Sequence, residues 1–158
     1  AAIVLPDGSI TGEGVKARIR EKLLTDCNLH TIVRLPQSTF FPAAVSTNLL
    51  FFEKGTPTEE IWYYEHRLPE GQKSYSKTKP IQFEEFEPLI EWWNNRVENE
   101  VAWKVKVKDL NNWDLDIKNK NIQEDVVEYD MPKIISKIEV NQNKIVQIIA
   151  DLKNLIKK

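Results

Sequence analysis

Apolar residues fall into short runs punctuated by turn residues over the first two thirds of the chain, and into a helical repeat at its end. Ala1–Leu5 is a short apolar run closed by the turn Pro6-Asp7-Gly8, and it reads as a strand. In Gly14–Cys27, Val15, Ile19, Leu23 and Leu24 recur on one helical face, with Lys16, Arg18, Arg20 and Lys22 among the other positions. This predicts a helix stopped at Asn28. Leu29–Leu35 is a second strand, ended by Pro36, and Gln37–Ser46 is a loop. Thr47–Glu53 follows, apolar on both faces, as expected of a strand inside an α/β sheet. The turn Lys54–Thr58 leads into Glu60–Glu65, and its length predicts that the third and fourth strands form a hairpin. The order describes half of an α/β sheet with an antiparallel edge.

Beyond it, Arg67–Pro80 is a polar loop and Phe83–Val97 an acidic amphipathic helix containing Trp92-Trp93. Val101–Asp109 alternates apolar and basic residues, the period of a half-exposed strand, with Lys104, Lys106 and Lys108 on one face. The chain then divides into an α/β part over 1–109, a polar linker over 110–131, and a long helix over 132–158. In the last, Ile145, Ile149, Leu152 and Ile156 alternate spacings of four and three, a heptad seam. At 1.5 Å per residue the helix reaches about 40 Å. A strand as apolar as Ala1–Leu5 expects neighbours on both sides, so the chain reads as the second part of a longer protein.

The 158 residues are 41% hydrophobic and 29% charged, a soluble globular composition. A formal net charge of −2 gives no global basic field, so any nucleic-acid contact must come from a local patch. The single thiol, Cys27, forms neither an internal disulfide nor a zinc cluster alone, which fits a reducing cytoplasm. His30 and His66 lack metal-ligand spacing, and no metal site is expected. No apolar run approaches the ~20 residues of a membrane helix, so no membrane partner is expected.

Two stretches carry candidate chemistry. Phe41-Pro42, just before a buried strand, would stand at the rim of the sheet, where α/β folds place ligands. An aromatic on a rigid rim can stack on a flipped nucleobase. The bland reading makes Phe40 and Phe41 plugs that cap the sheet end. Lys73, Tyr75, Lys77 and Lys79 interleave base and aromatic, as a DNA phosphate-contacting loop does, or as an ordinary solvated loop does. Gly8, Gly12 and Gly14 match neither common phosphate-loop spacing and read as turn glycines. No catalytic triad or carboxylate pair is evident.

The chain resembles the C-terminal part of the methylation subunit of type I restriction-modification systems. The stretches that carry the resemblance are AAIVLPDGSITGEG (Ala1–Gly14), IREKLLTDCNLHTIVRLP (Ile19–Pro36), FFPAAVSTNLLFFEKG (Phe40–Gly55), IWYYEHRLPEG (Ile61–Gly71), SKTKPI (Ser76–Ile81) and FEPLIEWWNNR (Phe86–Arg96). It covers roughly residues 1–118. The resemblance implies a DNA methyltransferase that moves a methyl group from S-adenosylmethionine to adenine N6. It implies the second half of a class I methyltransferase sheet: Ala1–Leu5 as the fifth strand, Leu29–Leu35 as the sixth, and Thr47–Glu53 as the antiparallel seventh between them. It implies that Phe41, with Phe40 as the fallback, stacks on the flipped adenine of double-stranded DNA. The family's glycine-rich donor loop and its Asn/Asp-Pro-Pro-aromatic tetrapeptide do not occur here. The resemblance places both before Ala1, so this chain alone is expected not to methylate and to bind S-adenosylmethionine poorly or not at all. It also implies that Ile145, Ile149, Leu152 and Ile156 dock on the helical spacers of the specificity subunit, and through it join the restriction subunit. The competing reading is a non-catalytic interaction module whose α/β part scaffolds a partner-recruiting helix.

Overall fold

The computed structural model describes residues 1–120 and 130–156, the last two by backbone alone. It falls into two units, Ala1–Gln123 and Glu124–Lys158. The first holds five strands: β1 (Ala2–Pro6), β2 (Cys27–Leu35), β3 (Thr47–Lys54), β4 (Glu60–Glu65) and β5 (Ala102–Lys106). Their order across the sheet is β1-β3-β2-β4-β5. β3 runs antiparallel to both β1 and β2, β2 runs parallel to β4, and β5 closes the far edge antiparallel to β4. β1, β2 and β4 therefore point the same way, and the antiparallel strand lies between β1 and β2.

The predicted β3–β4 hairpin does not form. The two strands flank β2, and the five-residue connection crosses the end of β2. Polar groups of the connection make that crossing. Gly55 N–H bonds Asp26 O (3.2 Å) and Thr58 N–H bonds Leu24 O (2.8 Å). The buried Thr58 hydroxyl donates to Cys27 O (2.6 Å) and accepts from Leu29 N–H (2.8 Å). Gly55 holds φ +118°, a backbone region that L side chains rarely adopt.

Each face of the sheet is covered. On one, Leu29, Ile32, Leu50, Ile61, Tyr63 and Trp103 pack with Ile10 of the one-turn helix α1 (Asp7–Ile10) and Leu24 of α2 (Val15–Asp26). On the other, Val33, Leu35, Tyr64 and Ala102 pack with Leu89 and Trp92 of α3 (Glu87–Asn94). A 3₁₀ turn, Phe83–Phe86, precedes α3, so the predicted acidic helix is shorter than its pattern suggested. Residues 83–86 are closed by a reciprocal Gln82–Glu85 capping box, and Pro88 suits the first turn of α3.

Two expectations shift. α2 buries Ala17, Arg20 and Leu24, while Val15 and Ile19 of the predicted apolar face stand 70% and 63% exposed. The helix is rotated because carbonyl groups below it bind Arg20. The predicted linker also begins later than residue 110. Leu115 is fully buried, its N–H bonds Ile10 O (3.0 Å) and its carbonyl accepts from the Tyr63 hydroxyl (3.1 Å). Arg34 adds an ion pair to Asp116 (2.6 Å) and a bond to Ile117 O (3.2 Å). Residues 121–129 of the predicted linker lie outside the described residues.

The second unit is the helix α4 (Met131–Ile156), 26 residues long. Asp130 starts it, its carboxylate accepting from Lys133 N–H (3.1 Å), the geometry of an N-cap. Ile145, Ile149 and Leu152 are all exposed on it, as are Ile134, Ile135, Ile138 and Ile148. The side chain of Ile156 lies outside the described residues.

Candidate functional site

Because β1, β2 and β4 are co-directional, the segments that leave their carboxyl ends emerge at one edge of the sheet. These are Asp7–Ile10, the loop 36–46 and the loop 66–80. In open α/β sheets this edge is where ligands bind.

The loop 36–46 is built from local bonds. Thr39 returns both its N–H (3.1 Å) and its hydroxyl (2.8 Å) to Pro36 O, and Ala43 N–H bonds Phe40 O (2.9 Å). The Gln37 amide ties across the loop to Ala44 O (2.9 Å). Its exit is pinned to the end of β1: Asp7 N–H bonds Ser46 O (3.0 Å), and the buried Asn48 amide donates to the Asp7 carboxylate (2.7 Å). At the tip, Phe40 and Phe41 are 47% and 57% exposed, and neither ring belongs to either core. They do not plug the sheet end. The Phe41–Pro42 peptide is cis.

The loop 66–80 gives a split result. Lys73, Lys77 and Lys79 are exposed, and among the described residues none makes an ion pair with a carboxylate. Tyr75 is instead buried, with 2% of its surface exposed, so its ring is not available to DNA and that expectation is corrected. Its hydroxyl donates to the Glu85 carboxylate and accepts from Nε2 of His66 (3.1 Å). His66 is buried as well, and Phe86 stacks on its ring at 4.8 Å. Burial pushes the His66 pKa down, against the pull of Glu85. Burial, then the hydrogen bond to Glu85, pushes the Tyr75 phenol up. At neutral pH the cluster therefore holds a neutral imidazole and a phenol. The main chain of Tyr75 reaches further, its N–H donating to Ser38 Oγ (2.8 Å) in the aromatic loop. The structure thus joins Phe40, Phe41, Lys73, Lys77 and Lys79 to one edge. It leaves the Lys104–Lys108 ladder at the β5 edge, where Lys104 pairs with Glu60 (3.1 Å) and lies over the Trp62 ring (5.3 Å).

The glycine turn before α2 has a structural occupant. The guanidinium of Arg20, 4% exposed, donates to the carbonyl oxygens of Trp113 (2.6 Å), Thr11 (2.9 Å), Ser9 (3.3 Å) and Gly12. The turn therefore presents carbonyls inward to a cation of its own chain. These carbonyl oxygens are turned to Arg20 rather than to a ligand. Among the described residues no group of His, Cys, Asp and Glu could hold a metal ion, and no helix is long and apolar enough to cross a membrane. Sequence reasoning missed Arg20 and the His66–Tyr75–Glu85 cluster. Arg20 alone left a signal, since it falls in helical step with Ala17 and Leu24.

The family model for N-6 DNA methylases matches residues 1–142. The type I restriction enzyme EcoEI methylase subunit of Escherichia coli is 46% identical over 166 aligned residues, which take in 99% of this chain and 34% of that subunit. A crystal structure of a modification subunit from Vibrio vulnificus YJ016 is 49% identical, superposes with a TM-score of 0.66, and covers 68% of this chain and 22% of its own. A chain from a structural study of complex assembly and conformational transition of the type I R-M system is 34% identical, with a TM-score of 0.73 over 99% of this chain and 35% of its own. The chain spans about a third of the length of the curated relative that it matches over almost its whole extent. The chain belongs to the N-6 DNA methylase family and is similar, within it, to the methylase subunits of type I restriction enzymes.

Proposed function

We propose that this chain is the C-terminal portion of a site-specific DNA adenine-N6 methyltransferase subunit of a type I restriction-modification system, and that it supplies the target-base rim and a docking helix. β1, β2 and β3 then correspond to the fifth, sixth and seventh strands of a class I sheet, a reading supported by antiparallel β3 lying between the other two. The observation that carries the proposal is the exposed Phe40–Phe41 pair on a braced loop at the carboxyl ends of parallel strands, in a sheet edge that also bears the exposed Lys73, Lys77 and Lys79.

The rim does its work by stacking. Flipping a base out of duplex DNA costs a few kcal/mol. An aromatic face returns about 1–3 kcal/mol per base, whatever the base. Phe41 therefore holds the extrahelical adenine without choosing it, and the exposed lysines fix the backbone on either side. When bound, S-adenosylmethionine supplies the methyl group. Donor binding and the acceptors for the N6 amino group are assigned to the remainder of the subunit. The exposed stripe of Ile145, Ile149 and Leu152, continued in sequence by Ile156, is assigned to the helical spacers of the specificity subunit, which also connects to the restriction subunit.

The test is the affinity of the assembled methylase for a duplex carrying 2-aminopurine opposite an abasic site, read by the base's fluorescence. Phe41→Ala should weaken the preference for this duplex over its fully paired counterpart by roughly 5- to 150-fold, the equivalent of the stacking energy. An unchanged preference in Phe41→Ala and in Phe40→Ala would remove the rim assignment.

A further inference from the structure

The two loops at the rim are not independent. One carries the aromatic pair, the other the lysines, and a single residue of the second is bonded to the first. Tyr75 lies between Lys73 and Lys77 in sequence but is buried. Its hydroxyl is anchored on His66, directly after β4, and on Glu85, in the turn before α3. Phe86 stacks on the anchor from one side, and His66 N–H is in turn bonded to Arg34 O of β2 (2.9 Å). The anchor is therefore part of the rigid sheet. From it, the Tyr75 main chain reaches across to Ser38 Oγ (2.8 Å), two residues before Phe40. Ser38 is half-buried, and this bond is the direct hydrogen bond described between the two loops.

We propose that Tyr75 and Ser38 form a clamp that sets the aromatic loop against the lysine loop, making both positioning residues for base capture. The inference rests on the rim reading above and deepens it. A flipped base and its flanking phosphates are a fixed distance apart, so stacking and phosphate contact are realised together only when the two loops hold one relative position. An aromatic loop braced by its own turns and pinned at its exit alone would keep its internal shape and still swing at its tip. The Ser38–Tyr75 bond ties it to a buried aromatic whose hydroxyl is satisfied twice. The interleaving of lysine and tyrosine then acquires a division of labour: the lysines face DNA and the tyrosine faces the protein.

The experiment compares Ser38→Ala, Ser38→Thr, Tyr75→Phe and Phe41→Ala in the assembled methylase. It uses amide hydrogen exchange over residues 36–46 and 72–79, together with binding of the 2-aminopurine duplex. Losing one hydrogen bond corresponds to about a fivefold rise in local opening, so Ser38→Ala should speed exchange in both loops by about that factor. It should also lower affinity for the extrahelical base to a similar degree while leaving the melting temperature in place. Ser38→Thr, which keeps the hydroxyl, should restore both readings, and Tyr75→Phe should loosen both loops by removing the anchor. Phe41→Ala should lose base affinity with exchange unchanged. Loss of base affinity in Phe41→Ala beside wild-type exchange or wild-type base affinity in both Ser38→Ala and Tyr75→Phe would overturn the clamp and leave the rim standing. Unchanged base affinity in Phe41→Ala would overturn the rim, and the functional meaning of the clamp with it.

Discussion

Replacing Arg20 by lysine keeps the charge and most of the length of the side chain, yet it should be among the most damaging conservative changes in the α/β unit. The guanidinium is 4% exposed and donates to four main-chain carbonyls in two segments, 9–12 and 113. A planar fork serves acceptors in several directions, whereas an ammonium is a point donor on a flexible stem. Hydrogen bonds to charged groups contribute about 1.5–3 kcal/mol each, but water can reach part of the turn 9–12, so the four do not add. A loss of about 3 kcal/mol is expected for Arg20→Lys, and somewhat more for Arg20→Ala, which also leaves a void. Urea unfolding of the chain would show it as a midpoint shift of about 1–3 M with an unchanged slope. Arg18, exposed on the same helix, is the control, and Arg18→Lys should stay within about 0.5 kcal/mol. An Arg20→Lys loss no larger than that of the control would refute the argument that carbonyls below α2 turn it arginine-side inward.

Leu115→Ala should cost about 2–5 kcal/mol in the same assay, since Leu115 is fully buried; a loss under about 1 kcal/mol would return residues 110–117 to the linker. His66 takes up a proton less readily when folded, because burial lowers its pKa, and His30 shifts the same way, from burial first and Arg96 second. The unfolded chain thus binds the proton first, so stability should be flat above about pH 6.5, the ordinary histidine value, and fall as pH drops below it until the folded-state values are passed. Urea midpoints at pH 7.5 and 5.5 check this, and His66→Gln should flatten the slope. Ile149→Asp, on the exposed stripe of α4, should abolish co-purification with the specificity subunit while the unfolding of the α/β unit stays as in wild type. Retained assembly would remove the docking assignment.

The strands were legible because most apolar runs are bounded by proline, glycine or asparagine, and their ends moved by at most three residues. Pairing was not legible. A five-residue turn between two apolar runs has the pattern of a hairpin, and what sent β4 to the other side of β2 was the bonding of Thr58 and Gly55 to the α2–β2 corner. That information lies in tertiary contacts, not in local spacing. The same holds for Tyr75. Its neighbours Lys73, Ser74, Ser76 and Lys77 mark a solvated loop, and its partners His66 and Glu85 lie nine residues before it and ten after, a spacing with no local period. Leu115 was hidden by the Asn- and Asp-rich residues around it. For Phe41 the pattern left two readings open, a rim aromatic or a plug at the sheet end, because local spacing does not say which way a loop ring turns; the ring is exposed.

The central claim is that Phe41 holds the target adenine while the methyl donor is bound elsewhere in the subunit. The direct measurement is single-turnover transfer of labelled methyl groups to adenine in duplex DNA by the assembled methylase, wild type against Phe41→Ala, with S-adenosylmethionine affinity followed by calorimetry. The account predicts a rate lower by roughly 5- to 150-fold at saturating donor, with donor affinity unchanged. An unaltered rate, or a loss traced wholly to donor affinity, would contradict it.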